Sequence, residues 1–309
     1  MAAVISLRYH AVSIGAVFLA LAVGVVLGAS GVSDRLLSAV AARADDLGGQ
    51  VQTLTAQRDA LAAAQRGADE FARRTGPAAV RGLLQGRTVA LVTSGADAAD
   101  RDALRALLAP SGATVGGEIA LTDAVGDPAR ADQLRELTSQ LLPTGAQLPA
   151  ASDTGSLVGG LLGGVLLKSS GQVTPEQADA VLTGLMSAGF VTPGERPRPA
   201  DLVLVLTGGS LPGVDGADAA AVTARLAAQL DRVGGGAVLA GRTGSADATG
   251  PVGVARADPN VTASLSTVDD VQTGAGQVSA VLALREQLDG RAGRYGTATT
   301  AADGAAPAA

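Results

Sequence analysis

The chain has 309 residues, a formal net charge of −6, a single histidine (His10) and no cysteine. This length accommodates an anchor beside a sizeable domain, and the acidic balance argues against nucleic acid as a partner, since nucleic-acid-binding proteins normally carry a basic face. The lack of cysteine excludes thiolate metal sites. Because no histidine follows His10, the rest of the chain cannot form a Ser-His-Asp triad or a His-ligated zinc site. We expect no enzyme and assign no catalytic residue.

The first predicted element is a transmembrane anchor over 11–33, a stretch without any charged residue. About 20 apolar residues cross a bilayer as a helix. Arg8 precedes the stretch, so the positive-inside rule predicts a cytoplasmic N-terminus over 1–10 and the remaining chain outside. A cleaved signal peptide is the alternative, with Ala29-Ser30-Gly31 as its cleavage site. The apolar region of a signal peptide is usually only about 7–15 residues long. The uncharged stretch over 11–33 is longer, which favours a retained, single-pass anchor.

Two glycines inside the anchor, Gly24 and Gly28, form a G-x-x-x-G pair. Such a pair lets two transmembrane helices pack closely, although glycine is common in membrane helices for other reasons. Both interpretations remain open at this point.

A heptad pattern follows the anchor and predicts a helical, coiled-coil-like stalk over 34–76. Gly48 and Gly49 weaken the helix, and Thr75-Gly76-Pro77 is predicted to end it. The pattern favours a homodimer through the stalk, and one amphipathic helix packed back on the next domain is the alternative. The apolar positions recur every seven residues in two series, the second broken by Arg58: Val40, Leu47, Leu54 and Leu61, and Leu37, Ala44 and Val51.

Short apolar runs then alternate with helical stretches, which predicts an extracytoplasmic α/β domain over 80–292 with a mostly parallel, Rossmann-like sheet. The tail over 293–309 has little apolar bulk, so we expect it to be disordered. Strands are predicted at 87–93, 113–121, 201–209, 237–240 and 251–256, and helices at 98–108, 128–142, 157–167, 174–188, 219–232 and 276–288.

Three loops rich in Gly and Ser/Thr follow predicted strands, where ligands bind in open α/β sheets. They contain Ser94, then Gly208, Gly209 and Ser210, then Arg242. Backbone N–H groups in such loops can cradle an anion, but ordinary tight turns have the same composition. Neither a G-x-G-x-x-G after the first strand nor a Walker A motif is present, which disfavours nucleotide binding.

Asp269 and Asp270 are the paired carboxylates at a predicted strand-to-loop junction. Oxygen ligands of this type can hold a hard cation, so both are candidate metal ligands. Helix capping or a solvated turn explains the pair as well.

Several segments together resemble the mycobacterial copper transport protein B family, MctB, in the same order over almost the whole chain. They are ISLRYHAVSIGAVFLALAVGVVLG over 5–28, AGRTGSA over 240–246, STVDD over 266–270, VLALREQL over 281–288 and Tyr295-Gly296-Thr297. The resemblance implies a role in copper homeostasis in an actinobacterial envelope, where the family is described as an outer-membrane, pore-type copper exporter. Copper is therefore implied by resemblance alone, and no metal-binding residue is transferred.

Two functions are consistent with these observations. The resemblance favours an envelope protein in copper homeostasis or efflux, whereas the stalk favours a scaffold or regulator that binds a cell-wall or division protein partner. The anchor predicts the plasma membrane, and the family description offers the outer membrane as the alternative.

Overall fold

The structure is a computed structural model that describes residues 7–29, 32–144, 146–170, 173–192, 194 and 196–308. The chain divides into two units, Met1–Arg66 and Gly67–Ala309.

Helix α1 (Leu7–Ala29) carries the predicted anchor. Among the described residues it is the one helix long and apolar enough to cross a membrane, judged by length and composition alone. Its 23 residues span about 35 Å at 1.5 Å per residue, enough for a hydrocarbon core of about 30 Å. Residues 30 and 31, within the predicted anchor and its alternative cleavage site, lie outside the described residues.

Helix α2 (Val32–Ala79) is longer than predicted, since it continues through Gly48-Gly49 and includes Pro77. The prediction that residues 75–77 end the helix was wrong. Its last turns pack within the second unit: a Cβ on Gly76 would lie 2.7 Å from Cγ2 of Val278. The backbone N–H of Gly274 donates to the Asp69 carboxylate at 3.2 Å. Packing of this kind overrides the weak helix propensity of glycine and proline, and the second unit begins at Gly67 rather than at residue 80.

The apolar positions of the heptad pattern lie on the surface of α2. Each of their large side chains is more than half exposed: Leu37, Val40, Leu47, Val51, Leu54 and Leu61. We call these six side chains the heptad stripe.

The second unit contains a six-stranded, wholly parallel sheet in the order β2-β1-β3-β4-β5-β6. The α/β fold class with a parallel sheet is thereby confirmed. The order 2-1-3-4-5 is the flavodoxin-like variant of the doubly wound folds, here with a sixth strand added. The strands are β1 (Thr88–Ser94), β2 (Thr114–Leu121), β3 (Leu202–Thr207), β4 (Ala237–Gly241), β5 (Ser266–Val268) and β6 (Arg294–Tyr295).

Helices cover both faces of the sheet, so the central strands are apolar on consecutive positions. In β3, Val203 and Val205 face a core that includes α5 and α7, whereas Leu204 and Leu206 face the core built with α3 and α10. The helices of this unit are α3 (Ala98–Leu108), α4 (Ala131–Gln140), α5 (Thr154–Leu166), α6 (Pro175–Ser187), α7 (Gly216–Val233), α8 (Pro251–Ala257), α9 (Pro259–Thr262) and α10 (Gly274–Leu288).

Two helix predictions are confirmed in detail. Helix α6 begins with the predicted cap, because the Thr174 hydroxyl accepts from the Gln177 N–H while the Gln177 side chain accepts from the Thr174 N–H. The apolar stretch at 157–167 forms the buried helix α5 rather than a membrane span.

Two other predictions were wrong. Residues 251–256 form helix α8 instead of a strand, with Pro251 at its first position and Val252 and Ala255 buried on one face. The tail over 293–309 is ordered where described: Arg294–Tyr295 form β6, and the buried Ala306 donates its N–H to Oγ of Ser279 at 3.4 Å. Backbone pairing holds this segment despite its lack of apolar bulk.

Candidate functional site

The strand order defines a topological switch point between β1 and β3, because the chain continues to opposite sides of these two neighbours. In doubly wound sheets, ligands bind in the crevice outside the carboxyl ends of such strands. Here the two strands end at Ser94 and Thr207, which face each other in the parallel register. The switch point is therefore the first place to look for a site.

A crevice of about 350 Å³ opens at this point. We call it the switch-point crevice. Its volume falls in the range of small-molecule sites, roughly 300–1,000 Å³. It is lined by Ser94, Gly95, Thr122, Asp123, Gly126, Asp127, Pro128, Thr207, Leu211, Pro212, Asp215, Gly216, Ala219 and Thr223.

Three hydroxyl groups line the crevice where β1, β3 and α7 meet. The Ser94 and Thr223 hydroxyl oxygens lie 3.4 Å apart, and the Thr223 hydroxyl also lies 3.4 Å from the Ala219 carbonyl oxygen. Both separations are beyond the normal range of O–H···O hydrogen bonds. Thr207 is only 2% exposed, and its hydroxyl has no hydrogen bond to the part of the chain that the structure describes.

Arg242, a predicted ligand-loop residue, is occupied by two carboxylates of the loop and helix that follow β1. Its guanidinium lies 3.0 Å from the Asp97 carboxylate and 2.9 Å from Oδ2 of Asp100. Burial raises the pKa of Asp100 above its usual value, and the positive charge of Arg242 opposes that rise. Arg242 therefore ties the loop after β4 to the start of α3 instead of presenting a free cation.

Gly208, Gly209 and Ser210 lie beside these loops, as the predicted strand ends require. A Cβ on Gly208 would lie 2.8 Å from the Gly95 carbonyl oxygen, and one on Gly209 would lie 2.9 Å from that of Thr243. Ser210 is exposed. The two glycines thus permit close approach between loops, which explains their presence without an anion.

Asp269 forms a buried ion pair with Arg256 at 2.6 Å, and both side chains are almost fully inaccessible to solvent. The same carboxylate accepts backbone N–H groups of Thr297 at 2.8 Å and Ala298 at 3.2 Å. Arg256 also donates to the Tyr295 carbonyl oxygen at 2.8 Å. These bonds join α8, β5 and the C-terminal segment, so Asp269 has a structural partner at each oxygen.

Asp270 is buried beside Asp269 and receives a hydrogen bond from the Thr273 hydroxyl at 3.2 Å on Oδ2. Its Oδ1 is buried and has no hydrogen-bond partner among the residues that the structure describes. Burial and the neighbouring charge of Asp269 raise the pKa of Asp270 to about 6. The two carboxylates therefore occupy different environments.

Gly24 and Gly28 lie on α1 with open space around them, since a Cβ built on either would meet no atom of the described residues within 4 Å. The helix surface at this pair is available for close packing with another helix.

Sequence reasoning found Ser94 and the loop after β3 but missed most of the crevice lining. Thr223 lies about two turns into α7, Asp215 precedes that helix, and Asp123 and Asp127 belong to the connection after β2. The strand order 2-1-3 is the signal that identifies the connection after β2 as a wall of the crevice.

The fold and the switch-point crevice define a class of protein. Its members have one apolar N-terminal helix, a long second helix, and a doubly wound domain with a polar crevice at its switch point. The chain belongs to the MctB family, because the family described as "Copper transport outer membrane protein, MctB" matches residues 4–306. The family description and the apolar helix both indicate membrane association.

Curated relatives of nearly the same length support this assignment. The chain is 41% identical over 304 residues to the copper transporter MctB of Mycobacterium tuberculosis (strain H37Rv) and to that of Mycobacterium bovis, covering 95% of this chain and 96% of each relative. It is 39% identical over 306 residues to the copper transporter MctB of Mycobacterium leprae, covering 94% and 96%.

The side chains of this protein do not fit a copper site in its α/β domain. Cys, Met and His are the ligands that copper favours, and the chain has no cysteine, with its methionines at 1 and 186 and its histidine at 10. His10 lies on α1 and Met186 on α6. No group of three or more His, Cys, Asp or Glu side chains suited to a metal ion occurs among the described residues.

Proposed function

We propose that this protein supports copper homeostasis as a membrane-anchored member of the MctB family, with copper as the transported substrate. The observation that carries the proposal is the family match across almost the whole chain. The comparisons offer no support for the alternative of a wall or division scaffold. The protein acts without catalysing a reaction, and its α/β domain does not hold copper on soft ligands.

The topology proposed is a single pass through the plasma membrane, with residues 1–10 in the cytoplasm and the α/β domain outside. Arg8 at the start of α1 supports this orientation. The family description names the outer membrane, which is the alternative that separation of the two membranes tests.

Assembly through α1 and α2 is the second part of the proposal. The heptad stripe exposes six large apolar side chains on one long helix, and such a seam is normally covered by a second helix. The open surface at Gly24 and Gly28 fits a neighbouring helix within the membrane. A parallel homodimer buries both features without any further partner.

Copper tolerance tests the function directly. Cells of the source organism that lack the gene should tolerate a severalfold lower copper concentration than cells complemented with the wild-type gene. The His10→Gln, Met186→Leu double variant should restore tolerance fully, because neither side chain belongs to a cluster of metal ligands in the described part of the chain. Normal tolerance in the deletion strain would contradict the copper role. Failure of the double variant at normal protein level would show instead that these side chains handle copper.

Single cysteines test topology and assembly together, because the natural chain has none. A Leu54→Cys variant, in the heptad stripe, should form a disulfide-linked dimer in oxidising conditions. The neighbouring Thr53→Cys should not, although a membrane-impermeant maleimide should label it from outside the cell. If the maleimide labelled Ala3→Cys and not Thr53→Cys, the orientation would be the opposite of the one proposed. Equal crosslinking at positions 53 and 54 would contradict a seam at the heptad stripe.

A further inference from the structure

The switch-point crevice combines a pocket of ligand size with side chains whose polar groups are not satisfied by the protein. Its position outside the carboxyl ends of β1 and β3 is where doubly wound domains bind small molecules, and its volume is about 350 Å³. The copper role leaves this crevice unused.

Thr207 is the clearest sign that something binds there. It is 2% exposed and lines the crevice, yet its hydroxyl makes no hydrogen bond within the described ranges. A hydroxyl that lines a crevice without a partner in the protein keeps its hydrogen-bonding capacity for a ligand, and a valine of the same shape would lack that capacity. Ser94 and Thr223, whose hydroxyls are 3.4 Å apart, leave further hydrogen-bonding capacity beside it.

Three carboxylates surround these hydroxyls, and no lysine, arginine or histidine lines the crevice. Asp123, Asp127 and Asp215 are all exposed at its rim. Asp127 accepts the Ala129 N–H at 2.9 Å, whereas Asp123 and Asp215 have neither an ion pair nor a side-chain hydrogen bond to any described residue. The lining therefore carries three negative charges that the protein does not neutralise.

The arrangement distinguishes between the possible ligand classes. An anion would face three carboxylates, which outweigh the roughly half unit of positive charge at the start of α7. A metal ion would need several ligands converging on one point, and no group of three such residues exists in the described part of the chain. Separated carboxylates around a hydroxyl-lined floor fit an extended organic cation.

We infer that the switch-point crevice binds a small organic cation that carries two or more separated ammonium groups. The ammonium groups pair with Asp123, Asp127 and Asp215 at the rim. The ligand's deeper polar group exchanges hydrogen bonds with Thr207, Ser94 and Thr223. This inference is independent of the copper role, because it uses neither metal nor copper ligands.

Calorimetric titration of the full chain in neutral detergent with spermidine as the probe tests the inference at about 0.15 M salt. We expect saturable binding that Asp215→Asn and Thr207→Val each weaken about tenfold. Thr207→Val should leave the melting temperature nearly unchanged, because the hydroxyl that it removes makes no hydrogen bond to the described residues. Glu136→Gln removes one exposed negative charge outside the crevice and should not change the affinity.

Several results would overturn the inference. The first is the absence of spermidine binding up to millimolar concentration. The second is an equal loss of spermidine affinity in Glu136→Gln and Asp215→Asn, and the third is an unchanged affinity in Thr207→Val. Tighter binding of inorganic phosphate or of magnesium than of spermidine at the same residues would assign the crevice to an anion or to a metal ion instead.

Discussion

Replacing Asp269 with asparagine should lower the free energy of unfolding by about 3–5 kcal/mol, the usual cost of leaving one buried charge without its partner. In the wild-type protein the Asp269 carboxylate lies 2.6 Å from the buried Arg256 guanidinium. The substitution replaces that carboxylate with a neutral amide, so the positive charge of Arg256 stays buried without its counter-charge. It also weakens the acceptor for the N–H groups of Thr297 and Ala298. Urea unfolding of the full chain in detergent, followed by circular dichroism, measures the change.

Two further variants separate the ion pair from a general effect of lost charge. Asp289→Asn removes an exposed carboxylate that pairs with Arg285 and Arg291, and such surface pairs contribute little to stability. The double variant Arg256→Met, Asp269→Leu removes both buried charges and should be more stable than Asp269→Asn alone. If Asp269→Asn cost no more than Asp289→Asn, the buried pair would not hold the C-terminal segment.

The expected loss of stability assigns a structural role to part of the STVDD segment. Its two carboxylates, Asp269 and Asp270, were candidate ligands for a hard cation, but Asp269 joins α8 and β5 to the tail that follows β6. The other, Asp270, has a raised pKa because it is buried beside that charge. A segment that contributes to a family resemblance can therefore reflect how the fold is held together.

Long elements with a clear period could be predicted from the sequence. Helix α3 matches its prediction at both ends, and α6 could be placed from the Thr174 cap and Pro175. These signals are local, because they depend on neighbours within one or two turns. The apolar run of β3 is equally clear, since a strand covered on both faces needs no alternation.

The elements that escaped prediction are short or depend on distant contacts. Strands β5 and β6 have three and two residues, too few for any periodic signal. Pairing with β4 defines β5, and pairing with β5 defines β6. Residues 251–256 were predicted to form a strand, but Gly253 lies so close to the loop after β4 that a Cβ would be 2.0 Å from the Asp247 carbonyl oxygen. Tertiary packing decides such segments.

The switch-point crevice was predictable only in part for the same reason. Ser94 and the loop at Gly208 follow strands, so their shared edge could be inferred from the principle that parallel strands end together. Asp123, Asp127 and Asp215 look like ordinary turn and cap residues in the sequence. Their relation to Thr207 depends on β1 lying between β2 and β3, which no local pattern encodes.

The second large effect is expected at Gly159, where an alanine should lower the free energy of unfolding by about 1–3 kcal/mol through overpacking. Helices α5 and α7 approach closely along Gly155, Gly159 and Gly163. A Cβ on Gly159 would lie 2.8 Å from the backbone oxygen of Leu226, which cannot rotate away. The added methyl group therefore forces the two helices apart against the closely packed core around the sheet.

Gly164→Ala is the matched control, because it makes the same change on the same helix. Among the described residues, its Cβ would meet only Cγ2 of Val173, at an ordinary 3.8 Å. Since alanine favours a helix interior over glycine by about 1 kcal/mol, Gly164→Ala should stabilise the protein while Gly159→Ala destabilises it. Opposite signs in thermal unfolding of the two variants would identify close helix contact as the reason for glycine at 159. Stabilisation by both would mean that α5 and α7 can separate without cost.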